Sequence, residues 1–281
     1  MNLWQITEES FDPKKLHSEE TVYTIGNGYF ATRGTFEEGY FGSTPATLLY
    51  GVFDDLGIGK EELANAPDWL PIQLFVNGER FRINKGKLLA FSRTLDMKNG
   101  VLSRTVHWES PNGIRLKISS DRFASLADEH LGIIRYSVTA EEQPSGADEL
   151  DLLLRATINT AVGNDNLMHW EPIDEGHDED LIWLQSETCH SSVQLVQTLS
   201  FTTSHPEFSR EMFDSDIAPG ISFQGTLKVG ETVNTEKIVV MYTTRDTDDP
   251  RRAAVKHHHT ILSETPVSYT HLRAHETGRN L

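Results

Sequence analysis

Alternation of apolar and polar side chains at every second residue, interrupted by Gly, Pro, Asn and Asp, constrains this chain more than any other feature. Successive side chains of a strand point to opposite faces, so such runs bury one clean face only as a sheet. Residues 72–76 lead into Asn77-Gly78, a hairpin signal, and continue as 80–83. Residues 101–108 turn at Pro111-Asn112-Gly113 and return as 114–119. Residues 132–139 and 150–158 flank a polar turn over 141–148; 183–187, 193–201 and 221–229 continue the series, and Gly230-Glu231 turns into 236–243. No period of about 20–50 residues repeats, which disfavours a solenoid or propeller. The pattern predicts an all-β fold, a large antiparallel β-sandwich over residues 1–245.

The character changes at Arg245. Asp248 or Asp249 is suited to cap a helix with Pro250 at its first position, and 251–263 carries Ala253, Ala254, Val255, Ile261 and Leu262. Residues 246–266 therefore read as the start of a helical linker. Residues 267–281 carry no pattern that continues it. Val267 to Thr277, VSYTHLRAHET, resembles the translation of a transposase sequencing adapter, so this tail is expected not to be native.

With 281 residues the chain is long enough for a self-sufficient core. Its net charge of −17 argues against nucleic acid or an anionic membrane as partner, because phosphates would be repelled. Cys189 is the single cysteine, so an internal disulfide is excluded, and its apolar surroundings predict a buried structural thiol. The first ten residues lack a basic and then apolar leader pattern, and no apolar run approaches the ~20 residues that span a bilayer. A cytoplasmic protein is expected.

Residues 21–38, TVYTIGNGYFATRGTFEE, place Gly26, Gly28 and Gly34 among aromatics and close on Glu37 and Glu38. Glycines at this density admit positive-φ turns and close approach of another segment. The stretch reads as strand, tight turn and strand, with Asn27 suited to a left-handed position and Arg33 beside Gly34. It resembles the opening of the N-terminal domain of glycoside hydrolase family 65, the family of maltose, trehalose and kojibiose phosphorylases and acid trehalases. Further blocks follow in the family's order: residues 45–54 (PATLLYGVFD), 63–81 (LANAPDWLPIQLFVNGERF), 93–104 (RTLDMKNGVLSR) and 122–135 (RFASLADEHLGIIR).

The resemblance implies a galactose-mutarotase-like supersandwich, followed in such enzymes by an (α/α)6 barrel that is absent from this chain. It implies a parent that inverts configuration, with a general-acid Glu and inorganic phosphate as co-substrate rather than a bound cofactor. The family's catalytic and phosphate-binding residues lie on the barrel, so none is carried onto this sequence; the chain alone is expected to be inactive. The expected partners are the missing barrel, a second copy in a homodimer, and a disaccharide. Two alternatives stay open: a trehalase-like hydrolase as parent, and a stand-alone carbohydrate-binding or structural sandwich.

Candidate chemistry outside the resemblance is sparse. His257-His258-His259 would point three ways from a helix and cannot share one metal, so an exposed polar turn is expected. Residues 169–180 (HWEPIDEGHDED) join an aromatic ring to carboxylates, as sugar sites do, which makes His169, Trp170 and Glu171 candidate substrate contacts on an acidic loop. Trp69, stiffened by Pro67 and Pro71, is a further candidate contact or a packing residue. Arg33, Arg93, Arg104 and Arg122 are expected to be buried in ion pairs, with Glu37, Asp96 and Asp128 as candidate partners.

Overall fold

The computed structural model describes residues 3–55, 59–144, 146, 148–165, 167–215 and 217–264. Among them the strands form three antiparallel sheets. The nine-stranded sheet runs, edge to edge, Gln5–Glu8, Lys87–Asp96, Val101–Glu109, Arg115–Ala124, Leu131–Glu142, Thr232–Thr243, Gln194–Thr203, Ile182–Thr188 and Trp170–His177. The five-stranded sheet is ordered Ser209–Phe213, Gly220–Lys228, Glu149–Thr157, Ile72–Val76, Glu79–Arg80. A small sheet of four strands, Ile25–Gly26, Phe30–Thr32, Thr47–Asp54 and Glu62–Asn65, completes the set. The two larger sheets face each other over one continuous apolar core, so the sandwich expected from the alternation is the observed architecture.

Local sequence explains most strands. Every second residue of Val101–Glu109 is buried, which is the pleat expected of a sheet with one face in the core. Asn77 and Gly78 both take positive φ, at 47° and 77°, as a two-residue hairpin requires. Residues 132–139 and 150–158 prove to belong to different sheets, so the polar stretch between them carries the chain from one layer to the other. Across the layers Phe201 meets Phe223 at 5.5 Å between ring centroids, and Phe81 stands edge-on to Trp108 at 5.1 Å.

The opening motif differs from its expected form. Leu16–Val22 is a helix, so Thr21 and Val22 belong to it rather than to a strand. Gly28, not Asn27, takes the left-handed position, with φ 94°. The Asn27 side chain instead ties the turn down. Its Oδ1 accepts from the N–H groups of Tyr29 and Phe30, and its Nδ2 donates to the carbonyls of Ser125 and Glu129. Gly34 is required for close approach: a Cβ there would lie 2.6 Å from Tyr23 Cβ and 2.8 Å from its carbonyl oxygen.

Helix Pro250–Ser263 starts as the sequence indicates, with Asp249 accepting from Arg252 N–H and Pro250 in the first turn. It lies on Thr232–Thr243 and Gln194–Thr203, whose central residues are therefore buried on both faces. The histidine run is not an exposed turn. His258 is fully buried under the helix, with Nδ1 at 2.7 Å from Thr198 Oγ1 and Nε2 at 2.7 Å from Ser200 Oγ. Residues 267–281 lie outside the described residues.

Burial, with His259 and His257 alongside and only Asp178 opposing, pushes the His258 pKa down to about 3. The unfolded chain takes up a proton near 6.5 that the folded chain refuses until about 3. This contribution is therefore fully present above pH 6.5 and is lost as pH falls toward 3, by at most about 1.4 kcal/mol per pH unit. Urea unfolding of the wild type and His258→Gln between pH 7.5 and 4.5 should show a shallower decline in the variant; equal slopes would refute the assignment. Separately, Gly34→Ala is expected to cost about 1–3 kcal/mol, because neither Tyr23 Cβ nor its backbone can retreat; the same urea titration at pH 7.5 measures it.

Candidate functional site

Residues 34–38 run between the sheets in the grip of four arginines. Arg93 Nη1 donates to the Gly34 carbonyl, Arg122 Nη1 to the Thr35 carbonyl and Arg80 Nη2 to the Glu38 carbonyl. Arg104 Nη2 reaches Glu37 Oε2 at 2.8 Å and Glu38 Oε1 at 2.7 Å, and Arg122 Nη1 lies 3.7 Å from Glu37 Oε1. Phe36 sits between two guanidiniums, with Arg93 at 5.2 Å and Arg104 at 5.0 Å from its ring centroid. Tyr136 adds its hydroxyl to Glu38 Oε1.

The ion pairs were foreseen in kind and only partly in partner. Arg104 and Arg122 do meet Glu37, but Arg93 pairs with Glu8 at 2.7 Å rather than Asp96, and Arg33, half-buried rather than buried, with Glu20 at 3.4 Å. Asp128 pairs with His257. Burial works against the charge on Glu37, and the fields of Arg104 and Arg122 outweigh it, holding its carboxyl below the usual range. Lys237 lies in the same interior, fully buried, with Nζ donating to the carbonyls of Thr157 at 2.8 Å and Pro71 at 3.1 Å. Burial lowers its pKa to about 7 against the opposing fields of Asp68 and Glu37, while burial raises that of Asp68. Sequence reasoning missed Lys237, although it stands in phase with buried Val233, Val239 and Met241, which signals an inward charge.

The small sheet turns a second feature outward. Tyr50 is 79% exposed and Phe53 46%, and Leu63 joins them from the neighbouring strand. A register shift between Leu48 and Phe53 keeps both aromatics outside, and Arg245 lies over Gly51, its Nη2 only 3.0 Å from where a Cβ would be. Two adjoining cavities of about 600 and 590 Å³ run along this face and share Ala31, Leu48 and Leu63.

The residues singled out from sequence do not converge. Trp69 is fully buried, its ring against Gly132 and edge-on to Phe30. Residues 170–177 are an edge strand of the nine-stranded sheet rather than a loop, with Trp170 buried and Glu171 exposed. His169 is buried between two carboxylates, Nδ1 at 3.2 Å from Asp54 and Nε2 at 2.9 Å from Glu62. Asp54 also accepts from the N–H groups of His190 and Ser191, so this cluster ties the small sheet to the edge of the large one. Cys189 is half-buried, not buried; burial and the nearby Glu171 and Asp54 raise its thiol pKa.

The profile of the glycosyl hydrolase family 65 N-terminal domain matches residues 6–277. The chain belongs to glycosyl hydrolase family 65. A kojibiose phosphorylase of Halothermothrix orenii is 31% identical over 254 residues, covering 86% of this chain and 31% of the relative. A 1,2-alpha-glucosylglycerol phosphorylase of Bacillus selenitireducens is 27% identical, covering 90% and 32%. The chain thus spans about a third of the length of these relatives. Among solved structures, a human-microbiome protein assigned as a kojibiose phosphorylase superposes with a TM-score of 0.84 at 19% identity, over 96% of this chain and 37% of its own. No helix among the described residues is long and apolar enough to cross a membrane.

In this family 65 domain Arg104 alone bridges both buried carboxylates of the segment, Glu37 and Glu38. Arg104→Met would leave Glu38 without its counter-charge and Glu37 with Arg122 alone, at a cost of about 3–5 kcal/mol. Chemical denaturation should show that loss, and Glu38→Gln added to Arg104→Met should recover part of it; additive losses would show that the two residues are not coupled.

Proposed function

We propose that this chain is the N-terminal, non-catalytic domain of an inverting α-glucoside phosphorylase of the cytoplasm, whose catalytic groups lie on polypeptide beyond the third that this chain spans. The observation that carries the reading is the combination of a family 65 N-terminal match over residues 6–277 with relatives named as glucoside phosphorylases that are about three times as long. The outer face of the small sheet supports it. Tyr50, Phe53 and Leu63 offer an apolar surface beside polar Arg245, Glu62 and Asn164, the mix found where domains of one chain pack. The domain would then act as a rigid support for a helical catalytic region and as part of a homodimer, with a disaccharide and inorganic phosphate as the parent's substrates.

The reaction expected of the parent is attack of phosphate on the anomeric carbon while the leaving sugar's glycosidic oxygen takes a proton. Inversion at an α-linkage releases β-glucose 1-phosphate and a free acceptor. The test is to incubate the parent polypeptide with phosphate and, in turn, kojibiose, nigerose, trehalose and maltose, following the anomeric products by NMR. Phosphate-dependent β-glucose 1-phosphate from one of them, and none from the 281-residue chain alone, is the expected result. Glucose release that needs no phosphate would make the parent a hydrolase, and turnover by the chain alone would refute a non-catalytic domain.

A further inference from the structure

A separate cavity of about 370 Å³ opens where residues 35–40 meet the end of the five-stranded sheet, a size within the roughly 300–1,000 Å³ of small-molecule sites. It shares only Pro45 with the cavities of the small sheet's outer face. Beside the polar residues of the 35–43 segment and Thr157, four side chains from separate places in the fold line it. Asp68 is 7% exposed on the segment before Ile72–Val76, Gln73 is half-buried on that strand, Arg80 lies on Glu79–Arg80, and Asn159 follows Glu149–Thr157. Arg80 uses Nη2 on the Glu38 carbonyl, while its Nε is buried with no hydrogen-bond partner among the described residues. Asn159 Oδ1 accepts from Ala161 N–H, which leaves its amide NH2 as a donor. Tyr40 and Ile217, the latter 59% exposed, add apolar surface.

We infer that this cavity binds a neutral saccharide of one or two rings. The two charged side chains that face the cavity, Asp68 and Arg80, are of opposite sign, and Glu37 and Glu38 beneath are already paired with Arg104 and Arg122, so the lining offers neither an anion nor a cation a site of one sign. Sugar hydroxyls both donate and accept, so one neutral polyol can serve a carboxylate, a guanidinium and two amides at once. Its C–H faces have Tyr40 and Ile217 to cover them. The inference does not rest on the phosphorolysis reading, since every residue it uses lies on this chain and the catalytic step lies elsewhere.

The experiment is saturation-transfer NMR with calorimetry on the 281-residue chain, using D-glucose and kojibiose as probes. Saturable binding in the millimolar range is expected, weakened at least about tenfold by Gln73→Leu and by Tyr40→Ala, and unchanged by Tyr50→Ala on the small sheet. Circular dichroism melting confirms that each variant is folded; Gln73 is half-buried on the rim side of its strand, so its variant is the one expected to fold without loss. The absence of saturable binding by either probe up to about 50 mM would overturn the inference. Binding that survives Gln73→Leu but is lost in Tyr50→Ala would overturn it equally.

Discussion

Four arginines converge on five residues, and much of the architecture hangs on that meeting. Arg80, Arg93, Arg104 and Arg122 hold the carbonyls or carboxylates of residues 34–38. These arginines come from both larger sheets, so the segment stitches the layers together from the inside. Burying so many charges is unfavourable one by one, and only mutual pairing with hydrogen bonds offsets the lost hydration. Removing a single member leaves its partner without its counter-charge.

The grip also sets where the small sheet sits. Phe30–Thr32 ends two residues before Gly34, and Gly34 N–H donates to the Glu20 carbonyl, so helix, strand and gripped segment form one continuous block. The His169 cluster clamps the far end of that sheet through Asp54 and Glu62. Anchored at both ends, the sheet can present Tyr50 and Phe53 outward without collapsing them into the core.

The helix Pro250–Ser263 extends the same logic to the outside of the nine-stranded sheet. Ile261 joins Phe123, Leu131, Ile133, Ile238 and Val240 in a second apolar cluster, and His258 fills a polar notch made by Thr198 and Ser200. A neutral imidazole there donates through one nitrogen and accepts through the other, which hydroxyls on both sides can satisfy. The helix is thus part of the folded domain.

Sequence alone determined the fold class, most strands and the family, because alternation and most turn chemistry act over a few residues. Val101–Glu109, the Asn77-Gly78 turn and the Asp249-Pro250 helix start are all local in this sense. It also showed that Glu37 and the arginines would pair, since charges at inward positions need partners. Tertiary structure alone decided which partners: Glu8 for Arg93 lies 85 residues away, and no spacing rule reaches that far. It decided that His258 is buried, that residues 170–177 are an edge strand, and that Gly28 rather than Asn27 takes the left-handed turn, because each depends on what packs alongside. The cavity to which Asp68, Gln73, Arg80 and Asn159 contribute was invisible for the same reason, these residues being brought together only when the chain closes on itself.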